Sequence, residues 1–218
     1  MSQRLRVVEA KGLVQLAGAA RLRAASFYEG ERASTLVTKR EQAFAEGELR
    51  RLMQYASEAS SGLDTGFRCL VALRGAREDE LGDESLAGTL DLESRADWTF
   101  PASSTWAAIA DQAAVPPELG GSAYLSNVCV TSTMRRQGVG RALLEEAARV
   151  AGEELEATEV FAHAFKDDEP SVALYLGSGF TPVGGGGRIA SAAGPRPSRG
   201  ASCESTSPQK FNKQFFLV

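Results

Sequence analysis

A turn rich in arginine and glycine carries the clearest chemical signal in the sequence. An apolar run over 123–131 leads into a polar segment and then into an amphipathic pattern that begins at Gly138. The first N–H groups of a helix have no partner within it and lie at the positive end of its dipole, so they can bind a phosphate. Glycines at 138 and 140 would let such a ligand approach the backbone. The anion-binding site predicted here consists of Arg135, Arg136, Gln137, Gly138, Val139, Gly140, Arg141 and Ala142.

The spacing of these glycines excludes two common phosphate-binding motifs. A dinucleotide-binding turn needs a third glycine where this chain has Leu143, and a P-loop needs a Lys directly after its last glycine. What remains is Arg-x-x-Gly-x-Gly, formed by Arg135, Gly138 and Gly140. This motif resembles the acyl-CoA-binding motif of the GCN5-related N-acetyltransferase (GNAT) superfamily.

A second segment carries the same resemblance. Residues 168–180 read Asp-Glu-Pro-Ser-Val-Ala-Leu-Tyr-Leu-Gly-Ser-Gly-Phe. They are similar to the family motif that begins with Asn and ends in Leu-Tyr-x-x-x-Gly-Phe, although Asp168 replaces the Asn that often hydrogen-bonds to the pantetheine arm of CoA. The resemblance covers roughly residues 5–183 and the final strand, and 123–130 are most similar to plastid-type members of plants and green algae.

The resemblance implies a fold and a reaction. The fold would be α/β (α+β), a single domain over 1–218 whose mixed, mostly antiparallel sheet of about seven strands is splayed beside the Gly138 helix. The reaction would be direct transfer of an acetyl group from acetyl-CoA to protein N-terminal α-amines and to lysine ε-amines. A small-amine metabolite as acceptor, or an acyl-CoA-binding module without turnover, remains open. The implied location is the chloroplast, with the cytoplasm as the alternative, and no transit peptide is expected within this chain.

Acetyl transfer needs a neutral amine, stabilisation of a developing oxyanion and a proton for the departing thiolate. The resemblance implies that a backbone N–H at Val130 binds the thioester carbonyl and that the backbone of 137–141 holds the pyrophosphate. It also implies that Tyr175 protonates the CoA sulfur, whereas from its position alone this tyrosine could be a core aromatic. The further residues expected to contact CoA are Val128, Cys129, Asp168 and Ser171.

Tyr124 and His163 match a tyrosine and a histidine that deprotonate the peptide amine through ordered water in N-terminal acetyltransferases. His163 is the only histidine in the chain, and an unperturbed imidazole, with a pKa of about 6.5, suits proton transfer at neutral pH. Alternation along its strand places His163 on the same face as Phe161 and Phe165. A packing role for this histidine is the alternative.

Composition limits the other classes of function. The net charge is −4, from 24 Lys and Arg against 28 Asp and Glu, so no basic surplus indicates nucleic-acid binding. No apolar run approaches the roughly 20 residues of a membrane span, so we expect no membrane partner. Cys69, Cys129 and Cys203 are an odd number of thiols, which favours a reducing compartment, and with one histidine they predict no metal site.

Periodicity and breakers predict the elements that must position these residues. Strands are expected at 5–10, 67–73, 86–92, 123–131, 158–165, 180–183 and 211–218, and helices at 13–28, 38–61, 138–154 and 170–178. The second and third strands should form a hairpin. Residues 94–120 predict a long loop in which Trp98 and Trp106 either contact substrate or pack locally. In 184–209, 18 of 26 residues are Gly, Pro, Ser or Ala, which predicts a disordered low-complexity insertion before the last strand.

Overall fold

The apolar runs of the sequence become seven strands and four helices in the computed structural model, which describes residues 4–31, 34–63, 65–75, 85–95, 121–183 and 211–217. The strands are β1 (Arg4–Glu9), β2 (Phe67–Gly75), β3 (Ser85–Arg95), β4 (Ser122–Val130), β5 (Glu159–Ala164), β6 (Thr181–Val183) and β7 (Asn212–Leu217). The helices are α1 (Leu13–Phe27), α2 (Thr35–Ser60), α3 (Val139–Glu153) and α4 (Glu169–Gly177), with a short 3-10 turn at Ser132–Met134.

All seven strands belong to one sheet in the order β1-β2-β3-β4-β5-β7-β6. The pairs from β1 to β4 are antiparallel, whereas β4 with β5, β5 with β7 and β6 with β7 are parallel. The sheet is therefore evenly mixed, and the expectation of a mostly antiparallel sheet is wrong in this detail. Helix α3 explains the parallel pair of β4 and β5, because a helical crossover returns the chain so that the next strand runs parallel to the last.

Side-chain alternation along the sheet separates two apolar cores. In β2, Leu70 and Ala72 belong to the core that contains α3, whereas Cys69, Val71 and Leu73 belong to the core that contains α1 and α2. The amphipathic pattern that begins at Gly138 places Leu143, Ala147, Val150 and Ala151 on one side of α3, and all four are buried. The helix pair α1 and α2 and the helix α3 therefore lie on opposite faces of the sheet.

The element boundaries differ from the expected ones by a few residues, for local reasons. Helix α2 begins before Thr38 because Ser34 caps it, its Oγ accepting a hydrogen bond from the Val37 N–H at 3.2 Å. Ser94 belongs to β3 rather than to a loop, since it pairs with Ala123. Residues 96–120 with Trp98 and Trp106, the segment 184–209 and Cys203 lie outside the described residues. In the described part of the chain, no helix is long and apolar enough to cross a membrane.

Candidate active site

A gap opens between the two central strands of the sheet. Strands β4 and β5 pair only at their beginnings, where Ser122, Ala123 and Tyr124 face Glu159, Val160 and Phe161. Beyond this point β4 continues along β3, and β5 continues along β7. Val128, Cys129 and Val130, which were expected to contact the acyl donor, are in the diverging part of β4. Their backbone groups border the gap, where an extended ligand could hydrogen-bond to them.

A β-bulge in β4 accompanies the divergence. Asp91 of β3 pairs with Ser126 and Thr89 pairs with Cys129, so two β4 residues, Asn127 and Val128, lie opposite one residue of β3. Asn127 has φ 53°, in the left-handed region that asparagine tolerates better than most residues. A bulge bends its strand and increases the local twist. It therefore contributes to turning the end of β4 away from β5.

The predicted anion-binding turn connects the end of β4 to α3. Gly138, the N-cap of α3, has φ 84°, and a Cβ added there would meet no atom within 4 Å. The backbone N–H groups that begin α3 are thus next to open space. Arg136, with φ 61°, and Arg141 are exposed beside this opening. Exposed N–H groups and nearby guanidinium groups form a donor set that fits a pyrophosphate.

The other small residues of the turn have packing roles. Gly140 is buried, and a Cβ there would lie 3.0 Å from Leu174 Cδ2, so glycine at this position lets α3 and α4 pack closely. This packing role adds to the ligand-approach role that the sequence predicted for Gly140, which stays a prediction. Val139 is 2% exposed and belongs to the core, and Ala142 is partly buried. Only the backbone of Val139 and Gly140 is placed to serve an anion.

Arg135 and Gln137 hold the turn against other elements. The Arg135 guanidinium donates two hydrogen bonds to the Glu29 carboxylate, and its Nε donates to the Val130 carbonyl at 3.1 Å. The hydrogen bond from Arg135 lowers the pKa of Glu29. Gln137 Nε2 donates to the Thr133 carbonyl at 2.9 Å, and Gln137 Oε1 accepts from Arg74 Nη1. Arg135 thus links the end of α1, the end of β4 and the turn.

Tyr124 and His163 meet where β4 and β5 separate. The Tyr124 hydroxyl lies 2.8 Å from His163 Nδ1, and the ring centroids are 5.5 Å apart. The pairing of β4 with β5 at their first residues brings these side chains, 39 positions apart in sequence, to the same place. Burial lowers the pKa of His163 from 6.5 to about 4, so the imidazole is neutral at physiological pH. A neutral imidazole bonded to a phenol can accept or relay a proton.

Tyr175 of α4 is buried in the core on the α3 face of the sheet. Its ring stacks on Phe215 at 5.4 Å and meets Phe180 edge-on at 5.3 Å. Burial raises the pKa of Tyr175, and Tyr124, Asp168 and Cys129 raise it further, so these groups are within electrostatic range of its hydroxyl. At neutral pH the hydroxyl is protonated, as it would be with the ordinary pKa of about 10, and a proton donor must be protonated. Burial likewise raises the pKa of Cys129, which keeps its thiol protonated and disfavours it as a nucleophile.

Asp168 and Ser171 form the N-terminal cap of α4. Asp168 Oδ1 accepts a hydrogen bond from the Ser171 N–H at 3.2 Å, and Asp168 Oδ2 accepts one from Ser171 Oγ at 2.5 Å. Aspartate caps helices as well as asparagine does, so the departure from the family's Asn preserves the start of α4. The cap holds the helix that carries Tyr175.

A buried group of charged residues between α1 and β3 was not predicted from the sequence motifs. Arg23 of α1 is 2% exposed and Asp91 of β3 is 0% exposed. Burial works to raise the pKa of Asp91, but Arg23, Arg51 and Asn127 together hold it below its usual range. The sequence contained a signal, since Asp91 lies between two buried leucines of a strand and such a charge is almost never buried without a partner. None of the three partners of Asp91 could be identified without the fold.

Metal-ligand geometry is absent from the described ranges, where no group of three or more His, Cys, Asp or Glu side chains could hold a metal ion. The site instead combines a turn that fits an anion, exposed strand backbone, a Tyr–His pair and a buried tyrosine.

Comparison with known proteins identifies the family of the chain. The model of the Acetyltransferase (GNAT) family matches residues 44–180. A curated relative, "GCN5-related N-acetyltransferase 7, chloroplastic" of Arabidopsis thaliana, is 47% identical over 58 residues, which span 27% of this chain and only 21% of that protein.

Two solved structures share the fold at low identity. The PaiA N-acetyltransferase of Thermoplasma acidophilum, determined in complex with coenzyme A, is 16% identical with a TM-score of 0.51, over 83% of this chain and 91% of that one. A transcriptional regulator of Bacillus halodurans is 17% identical with a TM-score of 0.51, over 82% and 93% of the two chains. Since the family model matches well over half of the chain, the protein belongs to the GNAT family of acetyltransferases, which use acetyl-CoA as co-substrate.

Proposed function

We propose that this acetyltransferase acts on the α-amino groups of protein N-termini, with lysine ε-amino groups as a second class of acceptor. The observation that supports the proposal is the 2.8 Å contact between the Tyr124 hydroxyl and His163 Nδ1 at the point where β4 and β5 separate. A protonated amine cannot attack a thioester, so a group that removes its proton must lie within hydrogen-bond reach of the amine. The Tyr–His pair borders the start of the gap, where it would reach an amine bound there.

The proposed donor site uses the rest of the gap. Acetyl-CoA supplies the activated acetyl group as a thioester. The backbone N–H groups of 137–141 and the guanidinium groups of Arg136 and Arg141 would hold its pyrophosphate, and the backbone of 128–130 would bind its acyl arm. Asp168 and Ser171 would line the arm from the start of α4.

Proton movements follow from the protonation states of the two tyrosines and the histidine. Neutral His163 accepts a proton through the Tyr124 hydroxyl or through water, and so leaves the acceptor amine neutral. The Tyr175 hydroxyl is protonated at neutral pH, as a phenol with the ordinary pKa of about 10 already is, and burial raises this pKa further. It is the group proposed to donate a proton to the sulfur of CoA.

The test offers competing acceptors in one reaction. Purified protein is incubated with acetyl-CoA, a peptide that has a free α-amine and no lysine, an N-terminally blocked peptide with one lysine, and spermidine, and the products are identified by mass spectrometry. We expect acetylation of the α-amine first and of the lysine more slowly. Acetylation of spermidine alone would show that the acceptor is a small amine, and acetyl-CoA binding without any product would indicate a binding module.

Variants of the pair connect the activity to the site. In Tyr124→Phe the ring is kept and the hydroxyl that contacts His163 is lost, so we expect peptide acetylation to fall about 10²-fold, the scale of general acid–base catalysis. Tyr55→Phe is the matched control, because Tyr55 stacks on Phe67 on the α2 side of the sheet, away from the gap. Equal losses of peptide acetylation in the two variants would show that the activity does not depend on the Tyr–His pair.

A plastid location is the second part of the proposal, and its support is the name of the partial Arabidopsis relative. Fractionation of cells that express the native gene, with detection of the protein by antibody, would test it. Recovery with intact plastids is expected, and recovery in the cytosol alone would contradict it.

A further inference from the structure

The Asp91 carboxylate is the centre of a network of ion pairs and hydrogen bonds. Its Oδ1 accepts a hydrogen bond from Arg23 Nη2 at 2.6 Å. Its Oδ2 accepts three, from Arg23 Nη1 at 2.8 Å, from Arg51 Nη2 at 2.6 Å and from Asn127 Nδ2 at 2.8 Å. Glu48 of α2 accepts from both arginines and so balances the charge. Both Nη atoms of Arg23 donate hydrogen bonds, whereas its buried Nε has no partner among the described residues. Paired and hydrogen-bonded buried ions favour one arrangement over others.

The network surrounds the bulge in β4. Thr89 and Asp91 are the β3 residues on either side of the irregular pairing, and the Arg23 guanidinium binds both, since its Nη2 also donates to Thr89 Oγ1 at 2.9 Å. Asn127, within the bulge, donates to the same Asp91 carboxylate. The Arg23 side chain therefore holds the β3 residues on both sides of the bulge. The Asn127 side chain ties the bulge itself to one of them, Asp91.

We infer that Arg23, Asp91 and Asn127 are positioning residues for the acyl donor, because they hold the β4 bulge and with it the backbone of 128–130. This inference rests on the proposed placement of acetyl-CoA against β4. Asparagine tolerates φ 53° without preferring it, and the amide hydrogen bond to a buried carboxylate selects that conformation. Without the selection, β4 can shift its register against β3, and a shift of one residue turns every following side chain to the other face.

A purely structural role makes a different prediction from a positioning role. If the network only stabilises the fold, its loss lowers the free energy of unfolding but leaves the donor affinity of the folded protein unchanged. If the network positions 128–130, its loss weakens binding of acetyl-CoA even far below the unfolding temperature. Affinity for acetyl-CoA without an acceptor therefore separates the two, and this measurement is independent of which amine the enzyme acetylates.

The main test variant is Asn127→Gly. Glycine adopts a positive φ freely, so the bulge remains possible while the hydrogen bond to Asp91 is lost. We expect the Kd for acetyl-CoA, measured by titration calorimetry, to rise about 10-fold, the scale of one hydrogen bond to a charged group. We also expect faster backbone hydrogen exchange at 128–130. The matched control is Glu156→Gly, since Glu156 has φ 52° in the turn after α3 and lies outside the network; its affinity should equal that of the wild type.

A second variant keeps the inference testable if Asn127→Gly does not fold. Thr89→Val keeps the shape of the side chain and removes the hydroxyl that binds Arg23, and a rise in Kd of about 3-fold is expected from one weaker hydrogen bond. Wild-type affinity and wild-type exchange in whichever variant folds would overturn the inference, even if that variant unfolds at a lower temperature. A rise in Kd without any peptide acetylation by the wild type would support the inference and contradict the proposed acceptor.

Discussion

On the α1 and α2 side of β4 the supporting groups are charged, whereas on the α3 and α4 side they are apolar and aromatic. On the α1 and α2 side, Arg23 and Asp91 form a buried ion pair. On the α3 and α4 side, Tyr175 packs against Phe180 and Phe215. The charged side accepts only one geometry, because each hydrogen bond has a direction. The aromatic side buries a single hydroxyl, and this burial raises the pKa of Tyr175 further above neutral pH. We expect lesions on the charged side to reduce stability and lesions of the hydroxyl to reduce turnover.

Asp91→Asn breaks the charged side and has the largest expected effect. It leaves Arg23 and Arg51 with one carboxylate, that of Glu48, so we expect a loss of about 3–5 kcal/mol in the free energy of unfolding. At about 2–4 °C per kcal/mol for a chain of this size, the Tm should fall by roughly 6–20 °C. Thermal and denaturant unfolding followed by circular dichroism measure both. The control is Asp167→Asn, an exposed aspartate before α4, and equal stability of the two variants would contradict the role of Asp91.

Tyr175→Phe tests the aromatic side. The ring stays between Phe180 and Phe215, so the free energy of unfolding should change by no more than about 1 kcal/mol, the net value of one hydroxyl hydrogen bond. The turnover number should fall about 10²-fold because the proton donor is lost, while the Kd for CoA stays within about 2-fold. Unchanged turnover in steady-state assays would remove the Tyr175 hydroxyl from the mechanism and leave it a packing residue.

Arg135 lies at the rim where the two sides meet, and its removal should have a smaller effect. Its pair with Glu29 is exposed, so Arg135→Ala should cost less than about 1 kcal/mol of stability. The loss of its contacts with Glu29 and Val130 should weaken CoA binding about 10-fold, an effect that calorimetry at two salt concentrations can measure. Arg149→Ala is the matched control, because the Arg135 and Arg149 side chains are 45% and 42% exposed. Equal CoA affinity in the two variants would show that the Arg135 contacts do not matter for the donor.

Replacement of His163 should have the smallest effect on the free energy of unfolding at neutral pH. Burial holds its pKa at about 4 in the folded protein against 6.5 unperturbed. Its neutral form therefore stabilises the fold fully above pH 6.5, and this contribution is lost as the pH falls towards 4. In His163→Gln the free energy of unfolding should depend less on pH within this window. Parallel curves for the wild type and the variant would show that the imidazole is not buried as described.

Local sequence predicted the parts of the molecule that depend on local physics. The apolar stripe of α3 follows from helix periodicity, and it agrees with the structure. The start of this helix at Gly138 agrees as well, whereas the φ of 84° at Gly138 was not predicted. The packing role of Gly140 could not be predicted, because it depends on Leu174 in a later helix. The same is true of Arg23 and Asp91, which are 68 positions apart and meet only after α1 has packed on the sheet.

The direction of the last strand marks a second limit of sequence reading. The residues of β7 have clear strand character, but whether that strand runs parallel to β5 depends on the path of the preceding chain rather than on its own residues. The Tyr124 and His163 contact also needs the register of β4 against β5. Their pairing could be expected only through the resemblance to a family.

A crystal structure of the protein with bound CoA would show directly where the donor lies. We expect the pyrophosphate to accept hydrogen bonds from backbone N–H groups of 137–141, with N···O distances of about 2.7–3.2 Å. We also expect the pantetheine arm to run between β4 and β5 along 128–130. A pyrophosphate bound away from the start of α3, or an arm that does not enter the gap beside the Asn127 bulge, would contradict this placement of the donor.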